Sequence, residues 1–119
     1  MKNFLSLFVA GAGLFVASQA YVVELYDNKD CTGGSSSRNV YDNTCAYTSG
    51  FQSLKLTTNG GSSQQLIAYS PQACAGVQTF HGCAAGVDSL KLGECHQTTN
   101  SNGGSNALSS YTEGGVCPN

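Results

Sequence analysis

The chain contains an internal repeat, and this repeat constrains the fold more than any other feature. Each copy places a tyrosine, a cysteine and a glycine at one spacing: Tyr26, Cys31 and Gly33 in the first copy, and Tyr69, Cys74 and Gly76 in the second. Farther along, identical Ser-Leu-Lys-Leu segments begin at Ser53 and at Ser89. Such matched positions in a short chain indicate a duplicated unit.

The repeat divides most of the chain into two units of similar length. We place them at about residues 21–58 and 63–95 and expect them to form one domain, 21–95. The remaining segment, 96–119, is rich in Gly, Asn and Ser and has no counterpart in the repeat, so we predict a tail there. Within this tail, residues 100–104 have the composition of a mobile loop.

Short β-type segments separated by turn-forming residues account for most of both units. Nowhere do apolar residues recur at helical spacing over three turns, and Gly, Asn, Ser and Thr interrupt every longer segment. In Leu54-Lys55-Leu56 apolar residues alternate with lysine, which is the pattern of a strand with one buried face. These features predict an all-β sandwich. The predicted strands are 21–26, 38–41, 51–57, 65–69, 77–80 and 87–92.

Residues 1–20 have the pattern of a secretory signal peptide. A short start containing Lys2 precedes an apolar run at 4–16, and Ser18 and Ala20 are small residues three before and one before a cut after Ala20. The apolar run is shorter than the roughly 20 residues that span a bilayer. We therefore expect a secreted, extracellular protein that begins at Tyr21 and has no membrane anchor.

The charge is low and slightly acidic. The sequence has five Lys or Arg against seven Asp or Glu, a formal net charge of −2, which becomes −3 when Lys2 is removed with the signal peptide. Nucleic acids and anionic lipids attract strongly basic surfaces. We therefore expect no nucleic-acid partner. We predict a monomer that contacts an extracellular protein or a wall component.

All six cysteines follow the predicted signal peptide, and an even number in a small secreted chain predicts three disulfides. Six cysteines allow fifteen pairings. If both copies fold alike, each copy should be cross-linked alike, and the remaining pair should tie the tail back onto the domain. The predicted pairs are Cys31 with Cys45, Cys74 with Cys83, and Cys95 with Cys117.

The paired tyrosine–cysteine–glycine pattern, followed by a serine before an apolar-basic-apolar strand, resembles the Greek-key motif of βγ-crystallins. The resemblance covers about residues 22–95 and implies that two motifs form one Greek-key β-sandwich. In that family a second aromatic residue stands where this chain has Cys31 and Cys74. The glycine of each motif is expected at positive φ. The resemblance implies structural roles for Tyr26, Gly33, Ser53, Tyr69, Gly76 and Ser89.

Many microbial members of that family bind calcium through two Asn or Asp residues, two variable positions, Ser or Thr, and Ser. The corresponding segments here, 48–53 and 84–89, both lack the leading pair, and only Asp88 retains a carboxylate. Calcium requires several oxygen ligands. We therefore predict no calcium site, no other metal site and no cofactor, and we expect Ser53 and Ser89 to hydrogen-bond the backbone at a turn.

Catalytic signals are weak. The candidate bases are His81 and His96, which we interpret as exposed loop histidines, and no Gly-x-Ser-x-Gly motif accompanies them. Among the carboxylates, Asp27 and Asp30 fall in the predicted Tyr26–Cys31 hairpin, where solvated turn residues are expected. We predict that the protein is not an enzyme and has no catalytic residue.

Three classes of function agree with this reading. The first is a secreted protein acting on another organism: an effector of virulence, an elicitor or a toxin resembling killer toxins, a class that includes relatives of this fold. The second is a protease inhibitor using the loop at 31–45 or at 74–83, and the third is a polysaccharide-associated wall protein. Tyr111, outside the repeat, is the predicted partner contact because tyrosine is frequent at interfaces.

Overall fold

A computed structural model describes residues 19–71, 74–99, 104–112 and 116–118. Almost all of the predicted signal peptide lies outside the described residues, as does the predicted mobile loop at 100–104 except for Gly104. Across the described ranges there is no helix, and the predicted all-β class is confirmed. The strands are β1 (Ala20–Tyr26), β2 (Ser35–Tyr41), β3 (Cys45–Phe51), β4 (Ser53–Thr58), β5 (Gln65–Ser70), β6 (Val77–Cys83), β7 (Cys95–Gln97) and β8 (Ser105–Ser109).

The strands form two four-stranded antiparallel sheets. Sheet 1 has the order β2-β1-β4-β7, and sheet 2 has the order β3-β8-β5-β6. The chain forms two four-stranded units, β1 to β4 and β5 to β8, so the second unit extends beyond residue 95, where the sequence placed its end. The strands of the two units correspond in order, with β1 equivalent to β5 and β4 equivalent to β8. In each unit the third strand, β3 or β7, lies in the sheet of the other unit.

The core lies between the two sheets and follows from alternation along the strands. In β1, Tyr21, Val23 and Leu25 are buried between the sheets, while the residues between them face outward. Leu54 and Leu56 of β4 bury the same face of sheet 1. The opposing residues of sheet 2 include Leu66, Ala68 and Leu108.

All three predicted disulfide pairings are wrong. The bonds are Cys31–Cys95, Cys45–Cys74 and Cys83–Cys117. Both units are cross-linked alike, as expected, but each equivalent bond joins the hairpin after the first strand of one unit to the third strand of the other. The third strands have exchanged sheets, and this places the cysteines of different units beside each other.

The described part of the segment predicted as a tail contributes to the sandwich. It contains β8, which lies in the interior of sheet 2 with β3 on one side and β5 on the other. Leu108 of this strand is fully buried in the core. Cys117 does tie the end of the chain back, but its partner is Cys83.

The second Ser-Leu-Lys-Leu segment is not a strand, which corrects the prediction for 87–92. It lies in the connection between β6 and β7, where Ser89 makes an isolated bridge to Cys83. Leu92 is 54% exposed, whereas Leu56 in the first segment is fully buried. The structural counterpart of β4 is β8, which shares almost no residues with it.

Candidate functional site

The outer faces of the two sheets carry different chemistry at equivalent positions. In sheet 1, Glu24 of β1 lies opposite Lys55 of β4. In sheet 2, the same register positions hold Ile67 of β5 and Ser109 of β8. The charged pair of one sheet is therefore replaced by an apolar residue and a hydroxyl in the other.

The tyrosines of the two motifs also differ in what contacts them. The Lys55 ammonium lies 5.6 Å from the centroid of the Tyr26 ring, within the range of a cation–π interaction. Tyr69 instead accepts a hydrogen bond from Ser109 Oγ at 3.4 Å. Tyr69 packs with Ile67 and the Cys45–Cys74 disulfide in a small apolar cluster on the outside of sheet 2.

This side of sheet 2 contains a concave site, which we call the tyrosine depression. Its volume is about 380 Å³. Ile67 and Tyr69, which are 4% and 6% exposed, form its floor, and Tyr111, which is 41% exposed, stands on its rim. The exposed polar residues Asn43, Gln78 and Thr112 complete the rim, and Gln65, which is 5% exposed, lies beside Ile67 in the floor.

Hydrogen bonds hold the rim of the depression in place. The amide of Gln65 donates to the carbonyl oxygen of Tyr111 at 2.8 Å, which continues the pairing of β5 beyond the end of β8. On the other side, Thr112 Oγ1 donates to Asp42 Oδ2 at 2.5 Å. The amide of Asn43 donates to the carbonyl of Ser110 at 2.6 Å. The predicted contact residue Tyr111 is therefore anchored to the sandwich through its backbone.

The floor is connected to the core through Tyr21. Its hydroxyl donates to the carbonyl oxygen of Ser109 at 2.8 Å, and Ser109 in turn contacts Tyr69. Burial removes the Tyr21 phenol from water and raises its pKa well above the ordinary value of 10.0. This buried side chain thus supports the depression from beneath.

The two histidines lie in different sheets, and both are in strands rather than loops. His81 of β6 is exposed, and its Nε2 lies 2.6 Å from Gln65 Oε1, beside the tyrosine depression. His96 of β7 is half-buried, with its ring centroid 5.4 Å from that of Phe80. The arrangement gives neither of them a hydroxyl nucleophile as a hydrogen-bond partner among the contacts of the described residues.

The first motif has the local geometry expected of it, and the second departs from it. Ser53 Oγ accepts a hydrogen bond from the amide of Cys31 at 2.9 Å and donates to the carbonyl of Asn28, so it joins β4 to the β1–β2 hairpin. Gly33 has a φ of 87°. In the second unit Ala107, opposite Tyr69, occupies the position of Ser53, which lies opposite Tyr26.

Ser89 and Gly76 do not reproduce their counterparts. Ser89 Oγ contacts Asn59 Nδ2 and the carbonyl of Leu90, both at 3.0 Å, away from the second hairpin. The glycines with positive φ among the described residues are Gly33, Gly86 and Gly93, so Gly76 does not adopt the expected conformation.

A second concavity lies between the free edges of β2 and β3. Its volume is about 510 Å³, and its lining includes Leu25, Arg38, Tyr47 and three serines. Hydroxyl groups and strand edges dominate this groove, and the aromatic and amide groups of the tyrosine depression have no counterpart in it beyond Tyr47.

Metal ligation has no candidate cluster in the described part of the chain, where no three His, Cys, Asp or Glu side chains converge. Asp88, the residual carboxylate of the calcium-like pattern, is exposed in the β6–β7 connection. All six cysteines are in disulfides and so are not thiolate ligands.

The sequence predicts a partner contact at Tyr111 and a structural role for Tyr69, but it does not identify the other residues of the depression. One signal was present: aligning Tyr26 with Tyr69 places Glu24 at the position of Ile67. An apolar residue at an outward position of a strand indicates a face shielded from water, and every residue of β5 is indeed buried. The Lys55–Ser109 equivalence was hidden, because the repeated Ser-Leu-Lys-Leu letters suggested a different alignment.

No helix in the described ranges is long and apolar enough to cross a membrane. Three disulfides in a small domain are typical of proteins from an oxidising compartment. No protein-family model matches the chain, and no curated protein or solved structure matches it either.

Proposed function

We propose that this is a secreted, non-enzymatic protein that acts on another organism, as an effector, elicitor or killer-toxin-like molecule, and that the tyrosine depression is its recognition surface. The N-terminal signal pattern and the three disulfides support export. A rigid, cross-linked sandwich is suited to persisting outside a cell, where marginal domains are lost to unfolding and proteolysis.

We also propose that the domain is βγ-crystallin-like. The strand orders of the two sheets support this, because each four-stranded unit contributes its third strand to the opposite sheet. The Tyr26 and Tyr69 positions at the ends of β1 and β5 support it as well. The Cys31 and Cys74 bonds then stand in for the second aromatic residue of the motif.

The observation that carries the proposed function is the difference between the two outer faces. Equivalent positions hold an oppositely charged pair of residues in sheet 1 and, in sheet 2, Ile67 and Ser109, of which Ile67 lines a concavity that also contains two tyrosines. Stability alone would be served by charged residues on either face. Apolar and aromatic groups at a concave surface are characteristic of ligand and partner sites.

The test is a comparison of matched tyrosine variants. Purified, oxidised protein is applied to plant leaves and to competing microbes, with a reduced sample as a control. We expect a response that is lost on reduction and in Tyr111→Ala, but kept in Tyr41→Ala. Tyr41 is 45% exposed and lies on sheet 1, so its removal matches the loss of exposed ring without touching the depression. Inert wild-type protein, or equal effects of both variants, would contradict the proposal.

A wall-polysaccharide function is the second candidate, and the tyrosines and amides of the depression favour it.

The protease-inhibitor alternative has less support. Of the two proposed inhibitory loops, 74–83 consists mostly of β6, which is paired along its length with β5. The other, 31–45, contains β2, which is paired with β1. An inhibitor needs an exposed loop held in an extended form, whereas most of each segment lies in strands of a sheet.

A further inference from the structure

We propose that the tyrosine depression binds a neutral saccharide, such as a short stretch of an uncharged wall polysaccharide. This inference rests on the proposed function, because it names the ligand of the same recognition surface. It follows from the charge, the side-chain chemistry and the rigidity of the site.

Charge is the first argument. The side chains that line the depression are amides, a hydroxyl, two phenols and an isoleucine, none of which carries a charge at neutral pH. Two titratable residues lie beside this lining: Asp42 accepts a hydrogen bond from Thr112, and His81 Nε2 contacts Gln65 Oε1. An anionic or cationic ligand would be bound here without a counter-charge, at a high cost in desolvation. A neutral ligand avoids that cost.

The kinds of polar group supply the second argument. The side chain of Asn43 offers a donor and an acceptor, which is what a sugar hydroxyl requires, since it also donates and accepts. Tyr111 adds an exposed aromatic ring with an apolar face and a polar tip. The axial C–H groups of a pyranose ring present a matching apolar face. A lipid chain has no hydrogen-bonding groups for this polar rim.

Rigidity is the third argument. Weak polar ligands are bound well only where the site loses little entropy on binding. Here the rim residues are held by backbone hydrogen bonds from Gln65 to Tyr111 and from Asn43 to Ser110. The Cys45–Cys74 disulfide packs against the floor residues Ile67 and Tyr69. The site is therefore organised before a ligand arrives.

The volume is compatible with one or two sugar residues. About 380 Å³ is at the lower end of the range for small-molecule sites. A polymer would place one or two units in the depression and continue along the open surface on either side.

The experiment measures binding of the oxidised protein to chitin beads and β-1,3-glucan particles, and then to chitohexaose and laminarihexaose by titration calorimetry. Polygalacturonate serves as the anionic comparison. We expect binding to at least one neutral glycan with a Kd below about 1 mM. Tyr111→Ala should raise that Kd about tenfold, the effect of losing one stacked ring. Tyr41→Ala should leave binding unchanged.

Three results would overturn the inference: no binding of folded wild-type protein to any neutral glycan, preference for polygalacturonate, or binding unaffected by Tyr111→Ala. The outcome is separable from that of the proposed function. A biological response that requires Tyr111 without glycan binding would contradict the saccharide and leave the recognition surface standing, with a protein as its partner. Glycan binding without any response would support the saccharide and contradict an action on another organism.

Discussion

Tyr21 connects the two sheets at the residue scale. Its ring lies in the core, and its hydroxyl bonds to the backbone of β8, directly beneath the tyrosine depression. The predicted signal-peptide cut after Ala20 would make this residue the first of the mature chain. An N-terminal strand of this kind is held by a buried side chain instead of fraying.

We expect Tyr21→Phe to lower the free energy of unfolding by about 1 kcal/mol at neutral pH, through loss of a buried hydrogen bond. The wild-type protein should also lose stability as the pH rises above 10, the ordinary pKa of the phenol. There the unfolded chain releases the Tyr21 proton while the folded chain, whose pKa is raised, keeps it, so the unfolded state binds fewer protons and the slope is negative.

Urea unfolding of both proteins between about pH 8 and pH 11 checks this. The decline should be steeper in the wild type than in Tyr21→Phe, because the other tyrosines are present in both. Parallel curves for the two proteins would show that the Tyr21 hydroxyl ionises as readily in the folded chain as in the unfolded one.

Ser53 and its structural counterpart show how single residues made the repeat look more regular than it is. Ser53 joins β4 to the first hairpin, and Ala107 holds the same place in the second unit without a hydroxyl. The letters Ser-Leu-Lys-Leu recur instead at Ser89, where the backbone is not in a sheet. In the second unit, therefore, the residue that repeats the serine, Ser89, is not the residue that occupies its structural position, Ala107.

At the scale of elements, the two Ser-Leu-Lys-Leu segments provide a matched pair for mutation. Leu56→Ala should lower the free energy of unfolding by about 2–5 kcal/mol, because it opens a cavity in the core beside β1. Leu92 is the equivalent residue of the second segment and lies exposed in the irregular β6–β7 connection. Leu92→Ala should therefore change the free energy of unfolding by about 0.5 kcal/mol or less. Chemical denaturation of the oxidised proteins measures both.

Equal, large losses in the two variants would mean that the second segment is a core strand, as its letters suggest. That result would remove β8 from its position as the counterpart of β4. The Leu54→Ala and Leu90→Ala variants form a second pair, with a smaller expected contrast because Leu90 is partly buried against the core.

At the scale of the whole molecule, two of the disulfides depend on the exchange of the third strands, β3 and β7, between the sheets. Non-reducing peptide mapping should recover Cys31–Cys95, Cys45–Cys74 and Cys83–Cys117. Replacing Cys31 and Cys95 together by serine should cost about 4 kcal/mol on the loop-entropy account, because the bond closes a loop of 64 residues. Thermal unfolding of the double variant measures the loss.

The Cys45–Cys74 bond closes a shorter loop, with a sequence separation of 29. Replacing both of its cysteines by serine should therefore lower the free energy of unfolding by slightly less. Recovery of Cys31–Cys45 or Cys74–Cys83 peptides would contradict the strand order, since each of those bonds would keep a unit's cross-link within itself.

Much of the fold could be predicted because alternation and turn residues act locally. The segments at 21–26, 38–41, 65–69 and 77–80 all lie within strands, and 51–57 contains the last residue of β3 and most of β4. No strand was predicted over the rest of β3 or at β7, and the tyrosine–cysteine–glycine hairpins fall where they were expected. Strand β8 was missed because Ser105-Asn106-Ala107-Leu108-Ser109 has almost no β-branched or aromatic residues. Its neighbours β3 and β5 make it a strand by pairing with both of its edges.

The sequence by itself determined the class, the number of disulfides and the two-unit plan, because apolar periodicity, cysteine count and repeated spacing are all properties of neighbours along the chain. Only the tertiary structure decided which cysteines bond, that 105–109 completes sheet 2, and that Ile67, Tyr69 and Tyr111 share one concave face. The Cys31–Cys95 and Cys45–Cys74 bonds follow from the exchange of β3 and β7 between the sheets, and the shared concave face follows from the pairing of β5 with β8. Pairing across such distances is chosen by burial of the whole core, and no local spacing encodes it.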